Sequence, residues 1–261
     1  MRIVTLTTDY GSRDHYAGVM KGVMLSIAPR VTLVDITHEV EPQNVLHAAF
    51  VLRRIWQWYP PGTIHLAVVD PGVGSERRIL VGRYDGRYVV APDNGLVTLV
   101  HRDLPAEALR YVESTRYVLR KRSATFHGRD IMAPVAAHLA SGVQICEFGP
   151  PAANVELLAV EHLARSTGGA IHGRVLHVDR FGTLITNITE AQLAAGPDKH
   201  RSVEVFVNGT AVGPLRSTFC DVPTETPLAL VGGSGMLEIA VNCGNAAELF
   251  GPADSVLIEV R

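Results

Sequence analysis

The succession of apolar patterns along the chain limits its fold more than any other feature. Over the first 70 residues, short β-branched runs alternate with stretches at helical spacing. Ile3 to Thr8 reads as a strand that ends at Asp9, and Tyr16, Val19, Met20, Val23, Met24 and Ile27 then recur at helical spacing until Pro29 stops the pattern. VTLVDIT (31–37) is a second strand. Residues 44–59 put Val45, Ala48, Ala49, Leu52, Ile55, Trp56 and Tyr59 on one helical face, and TIHLAVVD (63–70) is a third strand. Strands separated by helices pair in parallel, because the crossover needs the length of a helix. The first half is therefore expected to be an α/β domain with a mainly parallel central sheet.

The pattern then changes. RILVGRYDGRYVVAPDNG reads as a hairpin about Asp85-Gly86. A short helix is expected over 130–141, with its first turn near Asp130 to Pro134, where a proline is tolerated. Beyond about residue 155 the chain is mostly strand-like: GGAIHGRVLHVDRFGTLITNIT, a hairpin around Asn208-Gly209, TPLALVGGSGMLEIAVN and SVLIEVR, with one short helix near 189–196. This predicts an α/β domain over 1–155, a linker over 156–167 and an all-β, barrel-like domain over 168–261.

Bulk properties remove several classes of function. An apolar fraction of 47% with 19% charged residues describes a folded chain, and a net charge of -2 carries no footprint for DNA or RNA. No apolar run approaches the ~20 residues of a membrane span. The start MRIVTLTTDYG turns polar too early for a signal peptide. Cys146, Cys220 and Cys243 are widely spaced and odd in number, which suggests reduced thiols in a cytoplasm and no zinc site. There is no HExxH, no GxSxG elbow and no GxGxxG after the first strand.

Candidate chemistry gathers where the strands end, because open parallel sheets bind ligands at their carboxyl edge. Asp9, Asp35 (within its strand) and Asp70 are the acids there. Asp9 needs a partner, either a backbone N–H or a ribose diol. Asp14 or Ser12 either caps the first helix or touches a ligand. Pro71-Gly72 forces a turn after Asp70, so Arg77 can fold back to it; the pair either pins the loop or works on a substrate. TFHGRD (125–130) sets His127 beside a helix start, with Phe126 able to stack on a base and Gly128 permitting close approach of a ligand. Asp179 precedes a Phe-Gly break, and residues 232–247 hold a glycine-rich turn into a strand.

Six segments occur in order: TTDYGSRDHYAGVMKG, VVDPGVGSERR, APDNGL, TFHGRDIMAPVAAHL, DRFGTLITNI and SGMLEIAVN…GNAA. Together they resemble the S-adenosyl-L-methionine (SAM) hydrolases that form adenosine, also called SAM hydroxide adenosyltransferases, relatives of fluorinase and chlorinase. The resemblance covers nearly the whole chain. It implies a homotrimer with each substrate held between the N-domain of one subunit and the C-domain of the next. It implies that Asp70, Arg77 and His127 act together on water, that Asp9 holds the ribose hydroxyls, and that Asp14, Asp179 and the turn at Ser234 hold the methionine amino and carboxylate groups. Phe126 would line the adenosine beside Gly128, and backbone at Val241 and Cys243 would read the adenine edge. The family usually has Asn where this chain has Thr183, which loses a two-point contact to adenine, and more often Ser where it has Gly233.

The implied reaction suits these residue types. Attack at C5′ of a sulfonium expels neutral methionine, so the leaving group needs neither a proton nor a metal, and SAM is a substrate with no further cofactor. The reaction lacks only an oriented oxygen nucleophile. Two rivals follow from the same residues: halide-dependent cleavage of SAM, which a carboxylate at Asp70 would oppose by several kcal/mol (about 4 at an effective dielectric of ~20 and ~4 Å), and an adenosine- or SAM-binding protein without turnover.

Overall fold

The computed structural model describes residues 2–159, 164–167, 170–195, 203–251 and 257–260. The chain divides into two units, Met1–Ala159 and Val160–Arg261. The elements of the first are β1 (Ile3–Thr8), α1 (Tyr16–Ile27), β2 (Thr32–Thr37), α2 (Val45–Ile55), β3 (Ile64–Val68), β4 (Ile79–Tyr84), β5 (Arg87–Pro92), α3 (Thr98–Asp103), β6 (Ala106–Tyr111) and α4 (Ala133–Ala140). Its sheet has the order β2-β1-β3-β5-β4-β6. Strand β1 pairs in parallel with β2 and β3, and β3 in parallel with β5, while β4 alone runs against its neighbours β5 and β6.

Both faces of this sheet are covered. Met20 and Met24 of α1 and the alanine-rich α4 pack on one side with Val4, Leu6 and Leu66. Ala48 and Leu52 of α2 and Val100 of α3 pack on the other with Ala67, Leu80 and Val89. Burial on both faces explains why β3 reads as a continuous apolar run rather than an alternating one. The Asp85-Gly86 hairpin forms as expected, with φ of 45° and 71° at its two turn residues. The short α3 and the strand β6 lack a clear sequence signal; their burial is set by neighbours distant in sequence.

Pro134 is accommodated by an unusual start to its helix. Gly128–Met132 forms a π-helical turn, in which the Ala133 N–H reaches the carbonyl of Gly128. Pro134 has no N–H to offer Asp130, four residues back, and that carbonyl accepts from Leu119 N–H at 2.9 Å instead. The helix therefore begins a little before the expected position, and its wide first turn carries the residues after His127.

The second unit contains β7 (Arg165–Thr167), β8 (Ala170–Val178), β9 (Leu184–Thr189), α5 (Glu190–Ala194), β10 (Glu204–Val207), β11 (Thr210–Arg216), β12 (Pro227–Val231), β13 (Met236–Val241), α6 (Ala246–Phe250) and β14 (Leu257–Val260). The order β14-β10-β11-β12-β13-β9-β8 is closed by pairing of β14 with β8, which makes a seven-stranded barrel with β7 added beside β8. Val205 and Val207, Leu237 and Ile239, and Ile258 and Val260 point inward in alternation. Among the described residues, closure leaves no unpaired sheet edge around the ring. Of the segment 156–167, Glu156 N–H bonds Asp93 and Leu158 N–H bonds Thr98 in the first unit, Arg165–Thr167 is strand, and residues 160–163 lie outside the described residues.

Candidate active site

Topology places two carboxylates side by side. From β1 the chain leaves through α1 to β2 on one flank, and from β2 it returns through α2 to β3 on the other. The connections diverge between β1 and β3, which opens a crevice at the carboxyl ends of those strands. Thr8 of β1 is in register with Val68 of β3. Asp9 follows the first by one residue and Asp70 follows the second by two, so both acids emerge at the mouth of the crevice.

The loop after Asp70 is wound tightly enough to bring Arg77 back over it. Val73 N–H bonds the Asp70 carbonyl, Ser75 N–H bonds that of Gly72, and Arg77 N–H bonds the Ser75 hydroxyl. Gly74 has φ +82°, and a Cβ there would lie 2.7 Å from the Ala124 carbonyl oxygen, so this glycine lets the loop touch the segment that carries His127. Arg77 Nε donates to both oxygens of Asp70 at 2.9 and 3.0 Å, and Nη2 donates to Oδ2 at 2.5 Å. The same Nη2 lies 2.7 Å from Nδ1 of His127. The side chains of Arg77 and Asp70 are 10% and 7% exposed, so the pair is shielded from solvent screening. The structure thus brings Asp70, Arg77 and His127 into one hydrogen-bonded group.

This contact decides the tautomer of His127. A guanidinium has only donors, so Nδ1 must offer a lone pair and the ring proton sits on Nε2. Burial and the charge of Arg77 hold the imidazole below the ordinary histidine range, against the opposing pull of Asp70 and Asp130. His127 is therefore a neutral N–H donor at neutral pH. Its segment is anchored by the fully buried Asp130, which accepts from Ser123 N–H at 2.7 Å and pairs with Arg129 at 2.6 Å, while Arg129 covers the ring of Phe126.

A cleft of about 410 Å3 opens over the group, lined by Asp9, Tyr10, Tyr16, Pro42, Gln43, Asp70, Pro71, Val73, Thr125, His127 and Gly128. Asp9 Oδ2 accepts from Gln43 N–H at 2.9 Å. That N–H is aimed by a turn in which Asn44 N–H bonds the Glu41 carbonyl, with Pro42 and then Gln43 at φ 64° as its central residues. Tyr10 and Gln43 carried no sequence signal of their own, and Tyr16 only its place in a helical repeat: an aromatic after a strand or a Pro-Gln pair has many ordinary explanations.

Other expectations fall differently. Helix α1 begins after His15, with no side-chain cap, so neither Ser12 nor Asp14 caps it. Ser12 instead offers its N–H to Glu39, and Asp14 is exposed and is not among the residues that line the cleft. Phe126 packs edge-on against Tyr10 and Tyr16 behind the cleft wall. Gly128 lines the cleft, while the direction its side chain would take is filled by the protein, for a Cβ there would lie 2.6 Å from the Tyr10 hydroxyl.

The remaining candidates belong to the barrel. Asp179 Oδ1 accepts from Phe181 N–H and Thr183 N–H, each at 2.9 Å, and so ties the turn between β8 and β9. Gly182 in that turn touches Asn245, which follows the segment of Val241 and Cys243. Thr183 is buried, and Cys243 is exposed with φ 55°. Ser234 lies just before the other end of β13, where Gly235 meets Glu190, and the strand itself runs roughly 17 Å from Met236 to Val241. The Ser234 hydroxyl accepts from Met236 N–H.

Comparison with known proteins accords with this geometry. The profile of the SAM hydroxide adenosyltransferase N-terminal domain matches residues 4–149, and that of the C-terminal domain matches residues 173–255. An (R)-S-adenosyl-L-methionine hydrolase of Thermus thermophilus is 40% identical over 259 residues, covering 96% of both chains. Another, from Methanocaldococcus jannaschii, is 38% identical and covers 95% of this chain and 91% of its own. The crystal structure of an uncharacterized conserved protein from Thermotoga maritima superposes with a TM-score of 0.91 at 37% identity, covering 100% of this chain and 99% of that one. With both domain profiles matched in order and full-length relatives at this identity, the chain belongs to the SAM hydroxide adenosyltransferase family.

Proposed function

We propose that this protein hydrolyses S-adenosyl-L-methionine to adenosine and L-methionine by attack of water at the ribose C5′. The observation that carries the reading is the Arg77 guanidinium joined to both Asp70 and His127 at the cleft between β1 and β3. Because Nδ1 of His127 is occupied, the imidazole offers Nε2–H to the oxygen of a bound water rather than taking its proton. Asp70 keeps lone pairs beyond those used by Arg77 and accepts a water proton as the oxygen closes on carbon. The new C–O bond forms as the C5′–S bond breaks, and the bonding pair leaves on sulfur as a neutral thioether. Arg77 fixes Asp70 and His127 relative to one another, and so to the water they hold, in a site shielded from solvent. Asp9, with one oxygen held by Gln43, keeps the other for the ribose hydroxyls.

In this reading the first unit supplies the reacting centre, and the barrel supplies Asp179, Thr183, Ser234, Val241 and Cys243 for the methionine and adenine ends. The protein works as a homotrimer with sites shared between subunits, in the cytoplasm, where its three exposed thiols stay reduced. Purified protein incubated with SAM should release equal amounts of adenosine and methionine. With chloride present, a 5′-chloro-5′-deoxyadenosine product would overturn the hydrolase reading, and so would the absence of any turnover. Light scattering should give the mass of three chains. Mixing an inactive Asp70→Ala protein with one inactivated in the barrel should restore activity through hybrid sites, and complementation that fails after subunit exchange would refute the shared site.

A further inference from the structure

Resting on the proposed hydrolysis, we infer that the Tyr10 hydroxyl is a further catalytic group that holds the attacking water beside Asp70 and His127. Tyr10 lines the cleft with both of those residues. Among the described residues its hydroxyl meets no hydrogen-bond partner, and it is not sealed from solvent. The ring is fixed, lying edge-on to Phe126 at 5.9 Å and tilted against Tyr16 at 5.5 Å, with its backbone N–H on the Thr8 hydroxyl. The phenol oxygen rests against Gly128, the residue after His127, in the volume that any side chain at 128 would fill. A polar atom held this rigidly at a reacting centre is aimed at something outside the protein.

An accounting of the water's bonds shows what it does. The attacking oxygen turns one lone pair toward C5′, and its second lone pair accepts from His127 Nε2–H. One of its protons goes to Asp70. The other needs an acceptor, and in the first unit Arg77 is a donor only, while Nδ1 of His127 is already used. The Tyr10 oxygen accepts that proton's hydrogen bond and fixes the water's rotation. The phenol stays neutral: burial, then the charges of Asp9 and Asp70, push its ionisation upward.

The pair Tyr10 and Gly128 gives a sharp test. Tyr10→Phe should lower kcat for adenosine release roughly 10- to 100-fold, the worth of one hydrogen bond to a group that becomes charged. KM for SAM should change less than threefold, and the melting temperature should hold. Gly128→Ala places a Cβ 2.6 Å from the hydroxyl and should reproduce the loss by displacing it. Once the hydroxyl is gone, the nearest remaining atom is 3.3 Å away, so Gly128→Ala should cost little more on top of Tyr10→Phe. Losses that multiply in the double variant, or a Tyr10→Phe protein with wild-type kcat, would overturn the assignment while leaving hydrolysis itself intact. A wild-type protein that releases no adenosine would instead remove the reading on which it rests.

Discussion

Replacement of Arg77 with Gln probes the reacting group most directly. The substitution removes a guanidinium that makes three hydrogen bonds to Asp70 and one to His127. A glutamine amide can replace one of these at most. Hydrogen bonds between charged partners contribute about 1.5–3 kcal/mol each, so losing one or two of those that act in the transition state raises the barrier by about 3–4 kcal/mol. At 1.36 kcal/mol per decade, kcat should fall roughly 100- to 1,000-fold. A second consequence concerns pH. Arg77 adds to the burial that holds His127 low, and Asp70 opposes it. Without the cation, the imidazole is protonated at higher pH. Nuclear magnetic resonance of the imidazole across pH 4.5–8 should show its titration, which lies below about pH 6.5 in the parent, moved upward, and adenosine release from SAM gives the loss in kcat. A variant within threefold of the parent, with an unmoved imidazole titration, would refute the argument that Arg77 sets both the charge and the tautomer of the site.

Three further outcomes follow. Asp70→Ala should abolish adenosine release while SAM still binds by calorimetry; retained turnover would remove the carboxylate from the mechanism. His65 is 1% exposed, and burial, with Arg87 second, lowers it to about 3. The unfolded chain then binds the extra proton between about pH 6.5 and 3, so stability is full above pH 6.5 and falls by up to about 1.4 kcal/mol per pH unit below it. Urea unfolding of His65→Gln should show a flatter pH dependence than the parent, and parallel curves would contradict this. Gly182 has φ +82°, and a Cβ there would sit 1.9 Å from the Asn245 side-chain oxygen. Gly182→Ala should destabilise the barrel by roughly 2–4 kcal/mol, and a thermal unfolding midpoint equal to the parent's would show that the turn yields.

Local chemistry made much of this protein legible in its sequence. The period of the apolar residues announced α1, α2 and the parallel strands, because one face of a helix and both faces of a central strand must be buried. Asp85-Gly86 and Asn208-Gly209 announced their turns, because those pairs adopt positive φ at little cost. Asp70, Arg77 and His127 could be singled out as candidates because each belongs to a short segment with a strand end, a glycine turn or a helix start beside it, while their joint role came from the family resemblance. The tertiary structure decided what depends on residues far apart in the chain. Only the register of β1 on β3 sets Asp9 beside Asp70, and only the fold of residues 123–130 turns Nδ1 of His127 onto Arg77, which leaves the proton on Nε2. Gly128 could be read alone as an opening for a ligand and does line the cleft, but only the fold shows that Tyr10, 118 residues earlier, lies where a side chain at 128 would go. Sequence spacing specifies which groups a strand end or turn can present; the distances and tautomers that make them reactive arise only when separate segments pack together.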